Sequence, residues 1–88
     1  MRMTPDLAAT TALKGLAHLM NSSVARDRFV EASGLDPQTL RERADEPDFL
    51  VAVLDFLLTN EELLIDFSHD ESIDVRAVHM ARHVLAGG

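Results

Sequence analysis

The segment from Phe49 to Leu58 reads Phe-Leu-Val-Ala-Val-Leu-Asp-Phe-Leu-Leu, with Asp55 its single polar residue in ten positions. A helix this apolar must be covered around most of its circumference, and an 88-residue chain has room for one such centre. The rest of the chain has to pack around it. The run is too short to span a bilayer, which takes about 20 apolar residues. Drawn at 100° per residue, Asp48, Ala52, Asp55 and Thr59 fall within about 60° of one another. The eight apolar residues from Phe49 to Leu58 other than Ala52 fill an arc of about 220°. The helix is therefore expected to be buried on three sides and open along one seam: Asp48, Ala52, Asp55 and Thr59.

Proline punctuates the chain. Thr4-Pro5, Asp36-Pro37 and Glu46-Pro47 each place proline after a polar residue, at the first helical position, where its missing N–H costs nothing. Asn21-Ser22-Ser23 is a break and a cap, Gly34 a left-handed stop, Asn60 a helix start and Ser72 the cap of the last helix, which Gly87-Gly88 ends. These signals predict helices over 5–20, 23–33, 37–44, 47–59, 61–68 and 73–85. Nothing alternates with a period of two. The expected fold is all-α: one domain over 1–88, a compact orthogonal bundle of five to six short helices with the 47–59 helix at its centre. The first helix is expected to turn Ala9, Ala12, Leu13, Leu16, Ala17, Leu19 and Met20 inward, with Thr11, Lys14 and His18 opposite. In the last helix Ile73, Ala77, Met80, Ala81 and Val84 are expected inside, and Arg76, His79 and His83 outside. A loose repeat relates Phe29–Leu40 to Leu64–Val78: helix, turn with an apolar residue and an aspartate, helix. It suggests two helical hairpins, 23–44 and 61–85, flanking the central helix.

Charge narrows the partners. The net charge is −7, but residues 42–74 carry −10, against +1 over 1–41 and +2 over 75–88. An acidic middle repels phosphate backbones, which argues against nucleic acid, and favours a basic protein partner. Without cysteine there is neither a disulfide framework nor a thiolate metal site. The N-terminus is a poor signal peptide, because Pro5 and Asp6 follow its one basic residue at once. The expected location is the cytoplasm, with no membrane contact.

Chemistry-bearing patterns are sparse. His79 and His83 stand one helical turn apart, a zinc-ligand spacing, but the glutamate of the metalloprotease motif is replaced by Met80. An exposed pair near a helix C-terminus explains them equally. No metal site is assigned; these two are the nearest approach to one. Ser68-His69-Asp70 has catalytic residue types in a row, yet triads arise by spatial convergence, and a polar turn is the simpler reading. The acidic end from Glu61 to Asp74 lacks the glycine and alternation of a calcium loop. Asp55 is either a rim carboxylate or paired with Arg26, Arg28 or Arg41. The 37–44 helix carries Gln38, Thr39, Arg41 and Arg43, the best available case for a DNA-reading helix. No catalytic residue and no cofactor is expected.

The order Phe29, Gly34-Leu35-x-Pro37-x-x-Leu40-Arg41, Pro47-x-Phe49-Leu50, Val53-Leu54-Asp55-Phe56-Leu57, Glu61 and Ala81-Arg82 resembles a family of small bacterial proteins. It is the domain-of-unknown-function family three-five-seven-two, seen mainly in alphaproteobacteria. The resemblance covers nearly the whole chain and implies a cytoplasmic all-α protein without an established activity. It implies no catalytic or binding residues. The expected function is a non-enzymatic helical protein–protein interaction module. Asp48, Ala52, Asp55 and Thr59 are its interface candidates, and a basic protein or a second copy of the chain is the partner. The alternative is a DNA-binding, helix-turn-helix-like protein using residues 32–43.

Overall fold

Thr4 accepts a hydrogen bond from the Leu7 N–H at 3.1 Å, and Pro5 opens helix α1, Pro5–Asn21. The structure, a computed structural model, describes residues 2–87. Ser22 caps α2, Ser23–Ser33, by accepting from Ala25, and Gly34 ends it in the left-handed region at φ 72°. Asp36 accepts from the Thr39 N–H at 2.8 Å and starts α3, Pro37–Glu42. Pro47 opens α4, Pro47–Thr59, whose preceding Glu46 makes no side-chain cap bond. Helix α5, Glu61–Glu71, and α6, Val75–Leu85, complete an all-α bundle of six helices, with no strand among the described residues.

Four boundaries differ from the sequence expectation: α1 runs one residue further, to Asn21, and α6 starts at Val75 and not at 73. Helix α3 stops at Glu42, and α5 runs on through His69, Asp70 and Glu71. Those three polar residues read as a turn, but with no glycine or proline among them nothing breaks the helix there. Ser72 does not cap the last helix. It closes α5 in the left-handed region at φ 53°, and Asp74 caps α6 through a 2.8 Å bond from the Arg76 N–H. Asn60 also acts backwards: its side-chain amide donates to the Phe56 carbonyl at 2.7 Å and satisfies the end of α4. Of the Gly87-Gly88 terminus, Gly87 lies at φ 91° and Gly88 lies outside the described residues.

The turns after α2 and α5 share a geometry. Each has a left-handed residue, Gly34 or Ser72, then a half-buried apolar residue, Leu35 or Ile73, then a capping aspartate, Asp36 or Asp74.

Helices α1, α4 and α6 pack on one another, α2 lies against α1, and α5 lies against α4 and α1. From α4, Phe49, Leu50, Val53, Leu54 and Leu57 are buried, each contributing about 1.5–3 kcal/mol relative to exposure. The radius of gyration, 11.8 Å, is close to the ~12 Å of a packed domain of this length.

The buried face of α1 is Ala8, Thr11, Ala12, Gly15, Leu16 and Leu19, turned from the expected one: Leu13 and Ala17 are exposed, and Thr11 is inside. The cause is Gly15. A Cβ there would stand 2.8 Å from Leu57 Cδ1, so α1 and α4 approach through a position with no side chain. The Thr11 hydroxyl is satisfied by donating to the Leu7 carbonyl at 2.8 Å. On α6, Val78 and Ala81 are buried, whereas Met80, expected inside, is exposed.

Candidate functional site

The α4 seam runs along an open groove. Asp48, Ala52 and Thr59 are exposed and Asp55 is half-buried. Helix α2 makes few close backbone approaches to α4. It reaches across with one ring, Phe29, whose centroid lies 5.0 Å from that of Phe56 and 6.2 Å from that of Phe49. Both partners are tilted, an attractive aromatic geometry. Because the helices are held apart by a ring, a hollow of about 260 Å³ opens between them, lined by Phe29, Ala32, Ser33, Ala52, Asp55, Phe56 and Thr59. A second hollow, sharing Ala32, Phe56 and Thr59, extends it past Arg28, Glu31 and Asn60. A third, sharing Phe29 and Ala52, extends it the other way past Leu35, Arg43, Glu46 and Asp48. Three of the chain's four phenylalanines serve this groove. A hollow of about 660 Å³ between Met3, Pro5, Val84 and Gly87 takes no side chain from the seam.

Asp55 is paired with neither Arg26, Arg28 nor Arg41. Its partner is Arg82 of α6, whose Nε donates to one carboxylate oxygen and whose Nη2 lies 3.5 Å from the other. Their side chains are 47% and 43% exposed. The pair therefore sits at the groove's edge, with water on it. The carboxylate raises the Arg82 pKa above its ordinary value, first through the hydrogen bond and then through charge attraction. The pairing follows from the packing: Arg82 comes four residues after the fully buried Val78 and so shares the face of α6 that meets α4. Gly15 continues a stripe of small residues with Ala8 and Ala12, and that stripe faces the core.

The groove's hydroxyls are already engaged. Thr59 donates to the Asp55 and Phe56 carbonyls at 3.0 and 3.1 Å. Ser33 donates to the Val30 carbonyl and accepts from the Leu35 N–H. Among the described residues no buried side-chain nitrogen or oxygen lacks a hydrogen-bond partner. The groove offers shape and apolar surface, with Asp48 and Asp55 along one edge, and it gathers no nucleophile beside a base.

The other sequence candidates lie apart from it. His79 and His83 are exposed on α6. Among the described residues no three His, Asp or Glu side chains are arranged to hold a metal ion. The Ser68 hydroxyl is turned away from its neighbours and donates to the Ile73 carbonyl. Asp70 lies between two imidazoles, with Oδ1 3.6 Å from Nδ1 of the exposed His69 and Oδ2 3.7 Å from Nδ1 of His18 across the α1–α5 contact. His18, expected outside, has a side chain only 17% exposed and a ring centroid 5.6 Å from that of Phe67. The 32–43 segment places Gln38 against Glu42 at 3.3 Å, and Arg43 lies 4.0 Å from Glu46. Its α3 is a single six-residue helix. No helix is long and apolar enough to cross a membrane.

The chain belongs to the family described as protein of unknown function (DUF3572), whose model matches residues 5–88. No curated protein and no solved structure matches it.

Proposed function

We propose that this member of the DUF3572 family is a non-enzymatic helical interaction module that works in the cytoplasm and binds a protein through the groove between α2 and α4. The observation that carries the reading is the groove itself: three joined hollows floored by Phe29, Phe49 and Phe56, with small Ala32 of α2 and Ala52 of α4 in the lining. Binding sites on small helical proteins pair such apolar floors with a few polar groups at the rim. Asp48, Asp55 and Thr59 supply that rim. The half-buried Phe56 ring beside exposed Ala32 and Ala52 gives a partner side chain somewhere to insert, which is how a few anchors come to dominate an interface.

Affinity capture from the native cell with wild type and with Ala52→Arg tests this. A partner that wild type retains and Ala52→Arg loses, while both proteins melt alike, supports the groove. A partner retained equally by both removes it. Gel retardation of DNA at low salt serves the alternative reading at residues 32–43; a shift abolished by Arg41→Ala would replace the present proposal.

A further inference from the structure

We infer that the occupant of the groove is a basic amphipathic helix of another protein, and not a second copy of this chain. The inference rests on the groove reading above and adds the chemistry of the partner. Six charged residues line the three hollows: Arg28, Glu31, Arg43, Glu46, Asp48 and Asp55. Four are acidic and two basic, so the lining carries an acidic excess. Arg43 lies beside Glu46 at 4.0 Å, and Arg28, with no carboxylate oxygen within 4.0 Å among the described residues, lines the hollow past Asn60 that includes neither Asp48 nor Asp55. The acidic excess is the α4 edge. Asp48 has no cationic nitrogen within 4.0 Å among the described residues, and Asp55 meets Arg82 while keeping 47% of its side chain in water.

Asp48 and Asp55 stand seven residues apart on one helix, two turns or about 10.5 Å. A partner helix laid along the groove meets both with cations spaced seven apart, while an apolar side chain on the same face enters the gap between Ala32 and Ala52. The chain's net charge of −7, concentrated as −10 over 42–74, draws such a helix in from a distance. The same charge works against self-association. A second copy brings another −7, and α4 laid against α4 sets seam carboxylates near carboxylates, which costs affinity.

The test uses the full chain, isotope-labelled, and two synthetic probes: an amphipathic Leu/Lys helix, and the same helix with Glu in place of every Lys. The expected result is binding of the Leu/Lys helix with chemical-shift changes at Ala32, Ala52 and Thr59. Ala52→Arg should weaken it about tenfold or more, Asp48→Lys should weaken it several-fold with a shallower salt dependence, and the Leu/Glu helix should not bind. Two other outcomes overturn the charge inference but leave the groove standing. In one, both helices bind there equally. In the other, neither binds while light scattering reveals a dimer that Ala52→Arg dissolves. Shift changes confined to the acidic outer face of α5, or a monomer to which neither helix binds, overturn the inference and the groove reading together.

Discussion

Arg82 of α6 and Asp55 of α4, 27 residues apart in sequence, clasp each other in a two-pronged ion pair at the edge of the groove. Both side chains keep nearly half their surface in water, so solvent screening takes back most of the attraction. Asp55→Ala and Arg82→Ala are expected to lower the melting temperature slightly, far less than a core truncation. Thermal melts at low and high salt check this. A loss on the scale of a core substitution would show that the pair carries the α4–α6 contact.

Phe56 and Leu57 are neighbours with opposite duties. Leu57 is fully buried, whereas Phe56 is half-buried and forms the groove floor. Leu57→Ala is expected to cost about 2–5 kcal/mol, and Phe56→Ala clearly less, in urea unfolding. If Phe56→Ala proves the costlier, its ring belongs to the core and the floor is closed.

At position 15 a side chain meets Leu57. Gly15→Ala adds a Cβ 2.8 Å from Leu57 Cδ1, an overpacking cost of about 1–3 kcal/mol. The helix-propensity gain of about 1 kcal/mol opposes it. The net expectation is a change near zero to mildly destabilising for alanine, and a severe loss for valine. Stabilisation by both substitutions would show that α1 and α4 are not in close contact.

Acid should weaken the chain through its caps. The Asp36 and Asp74 carboxyls are held below their usual pKa, first by the backbone N–H of Thr39 and of Arg76 respectively. A carboxylate depressed on folding stabilises the fold above its unfolded pKa, and that contribution is lost as pH falls through the folded value. The window therefore lies below about pH 4. Denaturation midpoints across pH for wild type and for Asp36→Asn/Asp74→Asn should differ at neutral pH and converge in acid. Parallel profiles at every pH would remove the caps from the acid response.

The sequence made α4 legible in detail, because an apolar arc of that width leaves only one stripe free. Helix starts at Pro5, Pro37 and Pro47 were legible for an equally local reason: proline and the residue before it fix their own backbone. Pairing across the bundle was harder to read. Asp55 had several arginines within plausible reach, and only the packing of α6 beside α4 selects Arg82. The rotation of α1 was hidden because residue hydrophobicity ranks Leu13 above Gly15. The close approach rewards the residue with no side chain. The end of α5 was misplaced because His69, Asp70 and Glu71 are polar, and polarity on a solvent-facing turn does not end a helix. The groove itself has no sequence signature, since it is the space left between α2 and α4.

That space has a gauge. The frame of α1, α4 and α6 is set by backbone approaches such as the one at Gly15, but the stand-off of α2 is set by the Phe29 ring wedged against Phe49 and Phe56. Phe29 works as a shim: buried at the edge of the core, its ring sits between the walls where α2 meets α4. A change of side chain at that one position would re-gauge the opening, and with it the size of the side chain a partner can insert.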